Sequence, residues 1–292
     1  MRYQPRLLDE LDIALRTQVL ALATEAAAFD GVDPLNEAAR ISLQPGATTA
    51  RHLVLEGPGG LEAYANLADT GETPTIQLVV SPEARLTGLG SALLAAALET
   101  VPEGRSAAVW SFGDLSAARG FAASNGLHAS RELLVMESPL ADLPAGRLAA
   151  DVTVRGFRPE DEEAVLTVNA RAFAHHPEQG AMDHADFTAR TREAWYRPED
   201  LLVAERAGRI IGFHWTKRHD DELWEVYVIG VDPDAHGGGI GKGLLRAGLQ
   251  HMAEAGARRV ILYVEGDQDV AVGLYRAHGF RTAKKDVMYL TA

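Results

Sequence analysis

At 292 residues the chain is long enough for two domains of ordinary size, with 47% hydrophobic and 24% charged residues, the balance of a globular protein in water. The absence of cysteine excludes disulfides, thiolate metal sites and thiol nucleophiles. A formal net charge of −13 weighs against nonspecific nucleic-acid binding, which works by neutralising phosphates, and suits a cationic acceptor.

Helical spacing of Leu and Ala runs from Leu7 to Ala27. A hairpin follows over Leu53 to Leu67 around Gly57-Pro58-Gly59-Gly60, then a strand from Ile76 to Val80 that leads into a glycine turn and a helix. A further strand (Ala107 to Ser111) and helix (Leu115 to Asn125, closed by Gly126) complete the first half. The segment Pro139 to Ala150 has two Pro, one Gly and little periodicity, which suits a linker.

The same order then repeats. After the VTVRGF run come a helix (Asp161 to Ala174), a hairpin (Leu201 to Trp215 around Ala207-Gly208) and a strand (Glu225 to Val231) entering a second glycine turn and helix. A strand (Arg259 to Val264) and a helix (Val270 to His278, closed by Gly279) follow. Two α+β domains are therefore expected, at 1–140 and 151–292, joined by 141–150.

The turns read Arg85-Leu86-Thr87-Gly88-Leu89-Gly90 and His236-Gly237-Gly238-Gly239-Ile240-Gly241. Subtracting 151 maps Gly239 onto Gly88 and Gly241 onto Gly90. A glycine turn between a strand and a helix offers backbone N–H groups and a positive dipole end to an anion. A Walker A loop fails, because His236 stands where its first Gly belongs and Gly243 where its Ser or Thr belongs. A dinucleotide fingerprint fails as well, with Lys242, Leu244 or Leu93 at its last glycine.

The remaining pattern, Arg-x-x-Gly-x-Gly in the first copy and His-x-x-Gly-x-Gly in the second, resembles the pyrophosphate turn of the GCN5-related N-acetyltransferases. The resemblance implies two tandem domains, each a mixed, mostly antiparallel sheet flanked by helices, with the strand before the turn splaying from its neighbour to pair with pantetheine. It also implies acetyl-CoA as acetyl donor. Contacts would come from Val79, Val80, Ser81, Arg85, Thr87, Gly88, Leu89, Gly90 and Ser91 in the first half. In the second they would come from Gly230, Val231, Asp232, His236, Gly237, Gly238, Gly239, Ile240, Gly241, Lys242, Gly243, Phe280, Arg281 and Lys285. Gly230 inside a strand hints at a bulge or a close approach.

Acetyl transfer to an amine needs the amine neutral and the departing thiolate protonated. In the expected fold Glu225 takes the amine proton and Tyr275 protonates the thiolate. The repeat places Pro74 and Ala122 at their counterparts, so the first half is expected to hold acetyl-CoA without turnover.

Longer strings narrow the family: Asp30-Gly31-Val32-Asp33-Pro34 with Glu37, His176-Pro177-Glu178-Gln179-Gly180, Gly212-Phe213-His214-Trp215-Thr216-Lys217, and the stretch from Glu225 to Pro233. With Leu262-Tyr263-Val264-Glu265 and the tandem layout, they make the chain similar to the mycothiol synthase family. Members of that family acetylate the cysteinyl amine of cysteine–glucosamine–inositol. The resemblance implies an acceptor site of Glu37, Glu178, Lys217, Glu225 and Tyr275 in a cleft between the domains. One departure is Asp267-Gln268, where relatives carry Asp-Asn. Another small amine or a peptide as acceptor, or a silent acetyl-CoA sensor, are the other readings. No metal, nucleic acid or membrane partner is expected. The N-terminus lacks the apolar core of a signal peptide, so a cytoplasmic monomer is the expectation.

Overall fold

The computed structural model describes residues 4–47, 50–57, 59–69, 73–141, 149–174 and 177–291. It divides into two compact units, one of Met1–Leu133 with Lys284–Ala292 and one of Leu134–Ala283.

The first unit opens on β1 (Arg6–Leu8), α1 (Ile13–Asp30) and α2 (Glu37–Ser42). Then come β2 (Arg51–Gly57), β3 (Gly60–Ala68), β4 (Thr75–Val80), α3 (Leu89–Leu98), β5 (Ala108–Ser111) and α4 (Ser116–Ser124). β6 (His128–Pro139) starts here and runs into the second unit. Strands β1 to β4 pair antiparallel in sequence order, while β4 and β5, joined through α3, pair parallel. The helix expected from Leu7 begins instead at Ile13. Leu7 pairs with Leu53 in the sheet, and the Asp12 carboxylate accepts the Leu15 N–H at 2.8 Å to start the helix.

Both faces of this sheet are covered, and strand alternation shows how. Val54, Tyr64 and Val79 pack with Val19, Leu22, Ala23 and Ala26 of α1. Leu53, Leu55, Ala63 and Ala65, pointing the other way, pack with Leu89, Leu93 and Leu94 of α3. Each buried Leu contributes about 1.5–3 kcal/mol by leaving water.

The second unit contains β7 (Thr153–Gly156), α5 (Glu162–Ala172), α6 (Pro177–Gly180), α7 (His184–Thr191), β8 (Leu201–Arg206) and β9 (Arg209–Arg218). It continues with β10 (Leu223–Val231), α8 (Ile240–Glu254), β11 (Arg259–Glu265) and α9 (Asp269–Arg276). Its sheet runs β6-β11-β10-β9-β8-β7, with β7 to β10 antiparallel and β10 parallel to β11. On α8 the buried residues Ile240, Leu244, Leu245, Leu249 and Met252 recur at helical spacing and form one stripe against the sheet.

The last strand, β12 (Arg281–Leu290), departs from the expected division. Residues 284–292 belong to the first unit, where Val287 to Leu290 pair antiparallel with Ser111 to Ala108 of β5. Val287 and Tyr289 are buried there in the α3 core, which draws the strand home. Residues 142–148 of the expected linker lie outside the described residues. Among the described residues, no helix is long and apolar enough to cross a membrane, and no three His, Asp or Glu are grouped to hold a metal.

Candidate active site

The second unit's site is built on β9, β10 and the turn into α8. β10 and β11 pair only from Leu223/Arg259 to Val226/Leu262, yet β10 runs on to Val231 and β11 to Glu265. The strands therefore part, as expected, and leave the backbone beyond Val226 without a partner on its β11 side. The register against β9 slips between Val226 and Val228, so the bulge lies at Tyr227 and not at Gly230. Gly230 instead meets a close approach: a Cβ there would lie 3.0 Å from the Phe213 ring.

Past the strand, Gly237, Gly238 and Gly239 all have positive φ (98°, 58° and 75°), and Gly239 caps α8. The three glycines and Lys242 are exposed, and beyond each glycine's Cα the space is open, which gives a diphosphate access to the turn's N–H groups. Ile240 and Gly243 are buried, and Gly241 approaches Val231, so the helix start is anchored from below.

His236 Nε2–H donates to the Val231 carbonyl at 3.2 Å. In the first unit the equivalent Arg85 donates from Nε to the Val80 carbonyl, also at 3.2 Å. The basic position of both motifs is thus a brace from turn to strand, and an imidazole serves as well as a guanidinium. The rest of the Arg85 guanidinium forms a two-point ion pair with Asp30, at 2.7 and 2.8 Å. Asp232 is likewise committed. Burial opposes its charge, but the Asp234 N–H, Arg171 and Arg209 outweigh that and hold its carboxyl below the usual carboxylate range.

Glu225 and Lys217 face each other across β10 and β9 and are both buried, at 7% and 8% exposure. The Lys217 ammonium lies over Trp195 (5.3 Å to the ring centre) and Tyr227 (5.5 Å). Arg190 Nε donates to the Tyr227 hydroxyl at 3.0 Å, fixing that wall. This aromatic seat escaped sequence reasoning, because Trp195 is remote in the chain and no local pattern marks it. Glu225 accepts from His219 Nε2 at 2.7 Å. His219 stands two residues beyond Lys217, and the period of two could have flagged it.

Tyr275 lies on α9, 8% exposed, edge-on to Phe280 at 5.7 Å. Among the described residues none hydrogen-bonds its hydroxyl. Burial pushes the phenol up to about 12. Phe280 is a core residue, packed in the same cluster. Arg281 is exposed. Lys285 falls in the first unit, paired with Glu132 (2.9 Å) and Asp114 (3.1 Å). Glu178 lies on α6 and its side chain is outside the described residues. Glu37 is the exposed first residue of α2 in the first unit, capped by Asn36, whereas the other four acceptor candidates are in the second.

The first unit repeats this strand–turn–helix geometry. β4 pairs with β5 only at Thr75 and Ile76 before the two separate. Between them lies a cavity of about 540 Å³ lined by Val79, Val80, Arg85, Gly88, Gly90 and Ser91, with Val109, Trp110, Phe121, Ala122 and Tyr289 among its other walls. Gly88 caps α3 with φ 91°. Leu89 is buried, the Thr87 hydroxyl donates to the Ala84 carbonyl, and the Ser81 N–H donates to Glu62. Ala122 stands at the counterpart of the Tyr275 position, and Pro74 precedes β4.

Splayed parallel strands over a glycine cradle define an acetyltransferase of the GNAT class, here in tandem. Residues 169–280 match the Acetyltransferase (GNAT) family. The fold aligns over 99% of this chain with a GCN5-related N-acetyltransferase from Sphaerobacter thermophilus (95% of that chain, TM-score 0.78, 22% identity). It aligns equally widely with a tandem GNAT protein from the clavulanic acid biosynthesis pathway (98% of that chain, TM-score 0.73, 22% identity). The mycothiol acetyltransferase of Actinosynnema mirum is 44% identical over 288 residues, 96% of this chain and 97% of that protein. That of Streptomyces bingchenggensis is 45% identical over 295 residues, 97% and 95% of the two chains. The chain belongs to the mycothiol acetyltransferase family.

Proposed function

We propose that the second unit transfers the acetyl group of acetyl-CoA to the cysteinyl amine of cysteine–glucosamine–inositol, giving mycothiol, and that the first unit holds acetyl-CoA without turning it over. The observation that carries this reading is the buried Glu225 carboxylate, placed where β10 leaves β11 and opposite the caged Lys217. Acetyl-CoA supplies an activated thioester, and the open glycine cradles before α3 and α8 suit its diphosphate.

The chain's own residues do the rest. Glu225 accepts a proton from the acceptor ammonium and frees its lone pair. Lys217 donates to hydroxyl oxygens of the sugar or inositol. Tyr275 keeps its proton at neutral pH and gives Oη–H to the sulfur as the C–S bond breaks, and the second proton, shed by the nitrogen once its bond to the acetyl carbon has formed, restores the phenol. In the first unit Ala122 stands at the counterpart of Tyr275, so that position of the helix carries no phenol.

A CoA-release assay with the cysteinyl pseudodisaccharide tests the reading. Release that requires this acceptor, and that collapses in Glu225→Gln, is expected. Release only with other amines would overturn the acceptor, and binding of acetyl-CoA without any turnover would overturn catalysis.

A further inference from the structure

The β9–β10 hairpin is unusually well fastened for a four-residue connection. The Asp220 carboxylate accepts the N–H groups of Leu223 (2.7 Å) and Glu222 (2.8 Å), and those two bonds hold its carboxyl below the usual carboxylate range. The N–H groups of His219 and Asp220 both donate to the Leu223 carbonyl. The N–H groups of Arg258, just before β11, and of Arg259, its first residue, both donate to the Glu222 carbonyl at 2.9 Å. A loop tied on both sides fixes the backbone from which His219 projects.

The His219 ring reaches the face shared by Lys217, Glu225 and Tyr227 and meets Glu225 Oε2 at 2.7 Å. An ionised carboxylate can only accept, so Nε2 carries the hydrogen. Among the described residues this is the carboxylate's only hydrogen bond. A carboxylate with 9% side-chain exposure has little water to orient it, and one bond therefore sets its plane. Oε1 is left for the acceptor's proton. The imidazole is about one-third exposed, so its other edge faces the solvent side.

We propose that His219 is a positioning residue for acetyl transfer, orienting the Glu225 carboxylate by a hydrogen bond from Nε2 to Oε2 so that Oε1 receives the amine proton. This rests on Glu225 being the base. A base held by a third group is worth more than a free one, because orientation settled before reaction is not lost during it.

The test is steady-state kinetics of the full chain with four variants: His219→Phe, His219→Gln, Glu225→Gln and the double variant His219→Phe/Glu225→Gln. We expect His219→Phe to lower kcat about tenfold or more, with KM for acetyl-CoA held within about twofold. His219→Gln, whose amide still donates, should recover most of the loss. In the Glu225→Gln background, adding His219→Phe should change nothing further, since the two residues act as one. Wild-type kcat in His219→Phe beside an inactive Glu225→Gln would overturn this inference alone. Near-normal Glu225→Gln would overturn the base beneath it. Equal losses in the Phe and Gln variants, or independent losses in the double variant, would make His219 a structural residue. Should Phe lower the unfolding temperature, His219→Ala replaces it on the same criteria.

Discussion

Tyr275 and His214 show burial acting on titratable groups with opposite consequences. For Tyr275, burial pushes the phenol to about 12, so it stays protonated from pH 7 to 10. Any alkaline fall in rate over that range then belongs to another group. Tyr275→Phe should lower kcat by roughly 10²-fold at every pH in the range without altering the profile's shape. A kcat–pH series on both proteins checks this, and a variant within threefold of wild type would remove Tyr275 from the chemistry. His214 is fully buried on β9 with Nδ1–H donating to the Leu244 carbonyl, and burial pushes it from 6.5 down to about 4. Between those values the unfolded chain binds a proton that the folded chain refuses. Stability therefore falls as pH drops from 6.5 towards 4, by up to roughly 3 kcal/mol. Denaturant unfolding at pH 7.5 and 4.5 should show that dependence, and His214→Leu should lose much of it. Neither burial could be read from sequence: His214 is one of ten histidines, and no local pattern sets it apart. Its environment depends on Gly248 of α8, where a Cβ would overlap the imidazole ring.

At the scale of elements, the strand–turn–helix unit carries most of what the sequence made legible. Gly88 and Gly239 cap α3 and α8 with positive φ at positions 151 apart, as the repeat implied. Replacing Gly239 by Ala should cost about 1–2 kcal/mol of backbone strain and raise KM for acetyl-CoA, because the cradle must reshape. Thermal unfolding and acetyl-CoA titration together read out both effects, and an unchanged KM would separate this turn from the cofactor. The difference between His236 and Arg85 at the head of the two turns has a physical account, since each bonds the carbonyl of its own strand. Hairpins and glycine turns were legible because alternation and turn residues are local signals, whereas the splay of the strands was expected only from the family resemblance that the turns carry. The bulge at Tyr227 and the seat of Trp195 under Lys217 were not legible, because register and remote packing are decided by tertiary contacts. Leu7 and Leu8 misled for the same reason, their helical spacing yielding to pairing with β2.

At the scale of the whole molecule, both units keep one frame. The first unit keeps its splayed strands, its glycine cap and a cavity of about 540 Å³. Isothermal titration of acetyl-CoA is accordingly expected to report two sites. Deleting residues 284–292 should affect the first unit foremost, because β5 loses its neighbour and the cavity loses Tyr289. Titration of the truncated chain should then report one site, and limited proteolysis should cut first within residues 4–133. Two sites and unchanged proteolysis would contradict that. The placement of β12 also sets an order of events during synthesis. Residues 4–133 leave the ribosome ahead of residues 284–291, which follow about 150 residues later, on the order of ten seconds at ordinary elongation rates. Over that interval β5 presents a bare edge to any passing strand. The nascent chain is thus exposed longest at the strand that waits for its partner, and anything that slows the making of the second unit lengthens the exposure of the first.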